Sequence, residues 1–266
     1  MKNSIKLTLV VLIALQGTFL YPGGKHVASY TRMKVDARAL AMGGAFTSAC
    51  DGIESMFYNP SGLMYSEGIE LGTMFSSGMA FDRSYNFAGV STLLNTELKQ
   101  AIGVAGMSAK LDGIPRYANS SSLNPSGEFS VDETSVMFSY ASYDKRVDSY
   151  WGATLKLFNS SVDNDSKTGV GVDFGVMTEP LDNMKLGIMV KDIYSKVGSE
   201  QISPSVNMGL TVRSLNDGKK SIDTGILASF EAGYIFDGES GVQYAAGLEY
   251  YLNYNDNIAF IPRAGL

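Results

Sequence analysis

From Gly68 onward the chain runs as a succession of segments about ten residues long, apolar at every second position and divided by polar turns. A period of two sends successive side chains to opposite faces of a pleated strand, so each segment carries one greasy face and one polar or small face. Val206, Met208, Leu210 and Val212 fall on one side, with Ser205, Asn207, Gly209, Thr211 and Arg213 on the other. Val170, Val172, Phe174 and Val176 oppose Gly171, Asp173 and Gly175 in the same way, and Ile226, Ala228 and Phe230 oppose Ser229, Glu231 and Gly233. The pattern predicts eleven antiparallel strands over 68–78, 84–94, 98–110, 133–143, 149–160, 167–178, 184–193, 204–213, 222–236, 241–252 and 257–266. Turn chemistry falls between them at Asn95-Thr96, Leu215-Asn216-Asp217-Gly218, Asp237-Gly238 and Asn255-Asp256. The fold class expected is therefore all-β.

Alternation alone leaves open what each face meets, because a soluble sandwich with a solvated outer face reads the same way. Glu70, Lys156, Asp173, Lys191, Arg213, Glu231, Glu249 and Arg263 all project from the polar face. Three features favour a transmembrane β-barrel. The neighbours of these charges are Gly, Ser or Ala rather than solvated Lys and Glu, tyrosines cluster near strand ends, and tight turns alternate with longer loops over 111–132 and 194–203. Closure would also give every strand a hydrogen-bonding partner that lipid cannot supply.

The first residues fit export. Lys2 and Lys6 precede the apolar run Leu7–Leu15 and the small or polar Gln16-Gly17-Thr18, the layout of a secretory signal over residues 1–20. The run is too short to span a bilayer. With a net charge of −6 and no basic block, nucleic acid is excluded as an expected partner. The single cysteine, Cys50, reads as a small buried thiol, and the single histidine, His26, has no second ligand for a metal site and no triad. No catalytic residue, metal or cofactor is expected, and the chain is not read as an enzyme.

Before the strands lies a compact segment. It reads Arg38-Ala-Leu-Ala-Met-Gly-Gly-Ala-Phe46, then acidic Asp51, then Phe57-Tyr-Asn-Pro-Ser-Gly-Leu63. Gly43 and Gly44 let backbone pass close to backbone, and Asn59-Pro60-Ser61-Gly62 fixes a turn. The segment resembles the N-terminal hatch of the FadL-like outer-membrane transporter superfamily, and it is similar as well to the related hatch-containing barrels of the PorV type. That resemblance implies a hatch over 21–66 and a barrel over 67–266, with about fourteen strands in the full family fold. It implies residence in the cell outer membrane, insertion by the barrel-assembly machinery, contact with outer-membrane lipid, and passive uptake of hydrophobic molecules such as long-chain fatty acids. The alternative is an outer-membrane scaffold or secretion-associated barrel that binds a protein partner through its long loops.

Two departures stand out. The usual Asn-Pro-Ala reads Asn59-Pro60-Ser61, and the chain ends at Ile261-Pro-Arg-Ala-Gly-Leu266 without a terminal aromatic, which leads to the expectation of a barrel incomplete at its C-terminus. Gly43, Gly44, Asn59, Pro60, Ser61 and Gly62 are the expected hatch residues. Lys156, Lys191, Arg213 and Arg263 are candidates for a ligand headgroup, set against the plainer reading that charges on the polar face pair with each other.

Overall fold

The computed structural model describes residues 28–66, 68–79, 82–95, 99–119, 124–215, 223–238, 240–255 and 258–266. The expected signal peptide, His26 and the central turn residues Thr96, Asn216–Gly218 and Asp256 lie outside them.

The described chain is dominated by one antiparallel sheet. Its strands are β1 (Ile69–Met79), β2 (Arg83–Asn95), β3 (Gln100–Arg116), β4 (Gly127–Asp144), β5 (Ser149–Val162), β6 (Asp165–Leu181), β7 (Met184–Lys191), β8 (Lys196–Val197), β9 (Glu200–Gln201), β10 (Ser205–Leu215), β11 (Asp223–Ile235), β12 (Gln243–Asn255), β13 (Ile258–Phe260) and β14 (Arg263–Gly265). Neighbours in sequence are neighbours in space from β1 to β7, and the order continues through β10, β11, β12 and β13, with β14 also paired to β12. β8 and β9 extend the β7–β10 hairpin, β8 pairing with β6. Among the described residues the sheet is not closed, since β1 pairs only with β2.

The expected strands from 68–78 to 241–252 all occur, but 257–266 is split into β13 and β14 at Ile261-Pro262, where proline offers no N–H to the ladder, and two further corrections fall at the loops. The expected loop over 111–132 is largely strand: β3 runs to Arg116 and β4 starts at Gly127, with a register shift between Leu111 and Ile114. Gly113 sits at φ 69°, so a bulge absorbs the glycine and pairing resumes beyond it, where the sequence suggested a break. The expected loop over 194–203 contains the β8–β9 ribbon, whose two-residue strands are too short to show a period.

Burial alternates with the strand period. In β6, Gly171, Asp173, Gly175 and Met177 are buried while Val170 and Val172 are exposed. Leu71 is 81% exposed, Phe75 79% and Tyr244 77%. The core therefore lies on the polar, small-residue face, where Tyr85, Phe87, Met107, Met137 and Phe158 meet residues 28–66.

That N-terminal segment is a string of short turns and helices. Asp36, held at φ 71°, caps a one-turn helix over Ala37–Ala41 by accepting from the Ala39 N–H at 3.0 Å. 3₁₀ turns follow over Gly52–Glu54 and Pro60–Tyr65, with Ser55–Tyr58 helical between them. The segment runs the height of the sheet. Ala28 and Tyr30 lie beside residues near the 162–165 turn and the 116–127 loop, and Tyr65 lies beside the 181–184 turn.

Candidate functional site

The inner wall and the plug-like segment fit backbone against side-chain-free backbone. A Cβ added at Gly187 of β7 would stand 2.6 Å from the Thr47 carbonyl oxygen and 3.0 Å from the Ser48 Cα. Gly43, at φ 65°, approaches the Leu266 backbone so closely that a Cβ would lie 2.5 Å from its nitrogen. Gly44 is also left-handed, at φ 84°, beside the Lys34 side chain, and Gly62 packs on Ser55 and Cys50.

Asn59 ties this packing together. Its Nδ2 donates to the Thr47 carbonyl at 3.0 Å and to the Val176 carbonyl of β6 at 3.2 Å, while its Oδ1 accepts from the Ser61 N–H at 3.3 Å and the Ser61 hydroxyl at 2.6 Å. One buried amide thus joins two parts of the segment to the wall, and Pro60, at the first 3₁₀ position, loses no needed donor. The hydroxyl that Ser61 adds relative to alanine is spent on Asn59.

Buried charges hold the rest. Glu231 of β11 accepts from the Phe46 and Thr47 N–H groups at 2.9 and 2.8 Å, and from Asn207 Nδ2 at 2.9 Å. Glu249 of β12, with no exposed surface, accepts from Arg38 Nε at 2.6 Å, Arg263 Nε at 2.7 Å and the Tyr251 hydroxyl at 2.6 Å. Arg38 reaches Asp51 as well, at 2.8 Å.

The headgroup candidates divide. Lys156 is buried between Asp173, at 2.6 Å, and Asp192, and is committed to both. Arg263 is held by Glu249. Lys191 places its ammonium 3.6 Å from the Phe57 ring centre, a cation–π contact with the N-terminal segment. Arg213 stacks 5.1 Å from the Tyr251 ring and lines a cavity of about 260 Å³ with Arg38, Asp51, Tyr65 and Lys185. The structure does not gather the four into one site.

Arg38 and Asp192 are the anchoring side chains of these ion clusters that the sequence pattern does not single out. Arg38 lies inside the quoted motif, but its partner stands 211 residues away. Asp192 lies just past β7, at φ 56°, where no face pattern identifies it.

Burial raises several groups of the N-terminal segment, Cys50 and Glu54 among them. It pushes the Cys50 thiol up to about 12, which together with full burial leaves it an inert packing group. Glu54, half-buried, is pushed up to about 7, mainly by desolvation, with Asp36, Asp51 and Glu70 adding negative charge nearby. A carboxyl that holds its proton better folded than unfolded favours the folded state least once it is ionised. Stability contributed here should fall as pH rises from the ordinary glutamate range to about 7 and level off above it. Protease resistance of residues 44–66, followed from pH 4 to 8 (about the range the shift covers), should decline over that interval in the native protein. It should lose much of this slope in Glu54→Gln, and an unchanged slope would remove Glu54 as its cause.

No family model and no curated protein matches the chain.

Proposed function

We propose that the chain forms the wall and hatch of an outer-membrane β-barrel through which hydrophobic small molecules, long-chain fatty acids among them, pass when the hatch shifts. The observation that carries this reading is the inverted polarity of the sheet. Its solvent-facing side is a belt of Ile69, Leu71, Phe75, Val104, Phe138, Leu155, Leu248 and other exposed apolar groups, while Lys156, Asp173, Glu231 and Glu249 are buried on the side that holds the plug. In water such a belt is costly, and lipid removes the cost. β1 has 11 residues and β3 has 17, which at about 3.3 Å per residue and a tilt of about 45° cover a hydrocarbon layer of roughly 25 Å.

Transport on this reading has no chemical step. Each methylene taken from water favours entry by about 0.8 kcal/mol, and the hatch must yield before the chain passes. Asn59→Ala strands the Thr47 and Val176 carbonyls and the Ser61 donors, so the closed hatch is weakened by about 1–3 kcal/mol. Uptake of labelled oleate by cells carrying the Asn59→Ala protein should rise several-fold over wild type. Equal uptake would remove the hatch role, and wild-type uptake no higher than in cells lacking the protein would remove transport.

The depth of the lock between plug and wall favours one second reading, a barrel that stays shut and serves as an outer-membrane scaffold. Its mark would be co-purification of a protein partner from cells in which oleate uptake is unaffected by the protein.

A further inference from the structure

Residues 28–66 are fastened to the wall in two ways. Residues 53–65 are held by apolar packing, with Met56, Phe57 and Leu63 sharing one buried cluster with Phe87 of β2, Met107 of β3 and Phe158 of β5. Among the described residues, none from β10, β11 or β12 joins that cluster. Residues 37–51 are the stretch that meets those three strands, and what joins them is chiefly polar. Arg38 meets Glu249, the Phe46 and Thr47 N–H groups meet Glu231, and Ser48, Thr211 and Ser229 form a chain of hydroxyls with steps of 2.8 and 3.0 Å. Water can stand in for a hydrogen bond but not for an apolar contact, so the polar fastening yields to hydration where the apolar one resists it.

The ends of this stretch are points where the backbone turns. Asp36, at φ 71°, and Gly52, at φ 67°, bracket it, and Asp36 holds there a conformation that residues with a Cβ rarely adopt. Toward residues 53–65 its ties are few in kind. The Phe46 ring stands edge-on to Tyr58 with centres 5.0 Å apart, the Thr47 carbonyl accepts from Asn59, and Gly62 lies against Cys50.

We infer, on the transport reading above, that residues 37–51 are the moving part of the hatch: a strap that swings between Asp36 and Gly52 away from β10–β12, while residues 53–65 stay seated on β1–β6. Its release bares Thr211, Ser229, Glu231 and Glu249 on one side and the Tyr58 ring on the other. A polar wall facing an aromatic one suits an amphiphile that passes lengthwise, head along the strands and stem along the seated residues.

Two measurements test the strap. In the purified full chain in non-ionic detergent, backbone amides of residues 38–50 should exchange with solvent as one group, at least about tenfold faster than those of residues 55–63. Equal protection of the two groups, or the reverse order, overturns the inference. The second measurement uses cysteine pairs in a Cys50→Ala background. Ser48→Cys with Thr211→Cys, oxidised, ties the strap to β10; oleate uptake should fall to that of cells lacking the protein and return on reduction. Asn86→Cys with Ser108→Cys, directly opposed on β2 and β3, staples the wall alone and should leave uptake as it was. Uptake that persists with the strap tied overturns the inference and leaves transport standing. Wild-type uptake no higher than in cells lacking the protein removes transport instead, and the order of amide exchange then decides whether the strap moves.

Discussion

Replacing Lys156 with methionine is expected to cost about 3–5 kcal/mol of folding stability, the penalty for removing one partner from a buried ion cluster. Lys156 is the cation between Asp173 and Asp192, and Asp173 in addition accepts from the Asp192 N–H at 2.8 Å. Without the ammonium, two carboxylates face each other where water cannot reach them. Methionine keeps the stem's volume, so the loss reads charge rather than packing. Denaturant unfolding in detergent should show the midpoint fall, and the triple variant Lys156→Met, Asp173→Asn, Asp192→Asn should regain most of it. A single variant as stable as wild type would mean that the cluster does not hold the 191–205 connection in place.

Gly187→Val should displace the plug rather than trim its stability. The added side chain meets the Thr47 carbonyl and the Ser48 Cα, which are backbone and cannot rotate away. Backbone amides of residues 44–50 should lose protection from hydrogen exchange by about tenfold or more, while β3 to β5 stay protected. Gly127→Ala is the matching control, since a Cβ there meets nothing within 4 Å and the backbone is not left-handed. Equal exchange in the two variants would show that close approach at Gly187 does not seat the plug.

Much of the wall was legible because a two-residue period is local. Val170 to Val176 and Val206 to Val212 announce their faces within one strand, and the buried Asp173 and the exposed Val172 follow directly. Asn59 and Pro60 were legible for a similar reason, as an Asn-Pro turn is written in adjacent residues. The β8–β9 ribbon was not, because two-residue strands carry no period and their pairing is decided by β6. The Arg38–Glu249–Arg263 lock was half legible. The alternation put Glu249 on the polar face, but nothing near Arg38 names a partner in β12. Charge and face alone mark the headgroup candidates, and these cannot tell a spoken-for lysine such as Lys156 from Arg213 beside its cavity.

The packing of residues 28–66 along the inner face of the sheet bears on how the molecule comes to exist. This stretch emerges first, yet the groups that anchor it, Val176, Glu231 and Glu249, are synthesised 117, 185 and 211 residues after their partners Asn59, Phe46 and Arg38. Until those strands exist it has few neighbours to collapse upon, so it must wait as a pliant leader and be enveloped as the hairpins arrive. Maturation should then be slow and governed by distant pairings. The segment is never inserted into a finished wall; the wall is laid down against it.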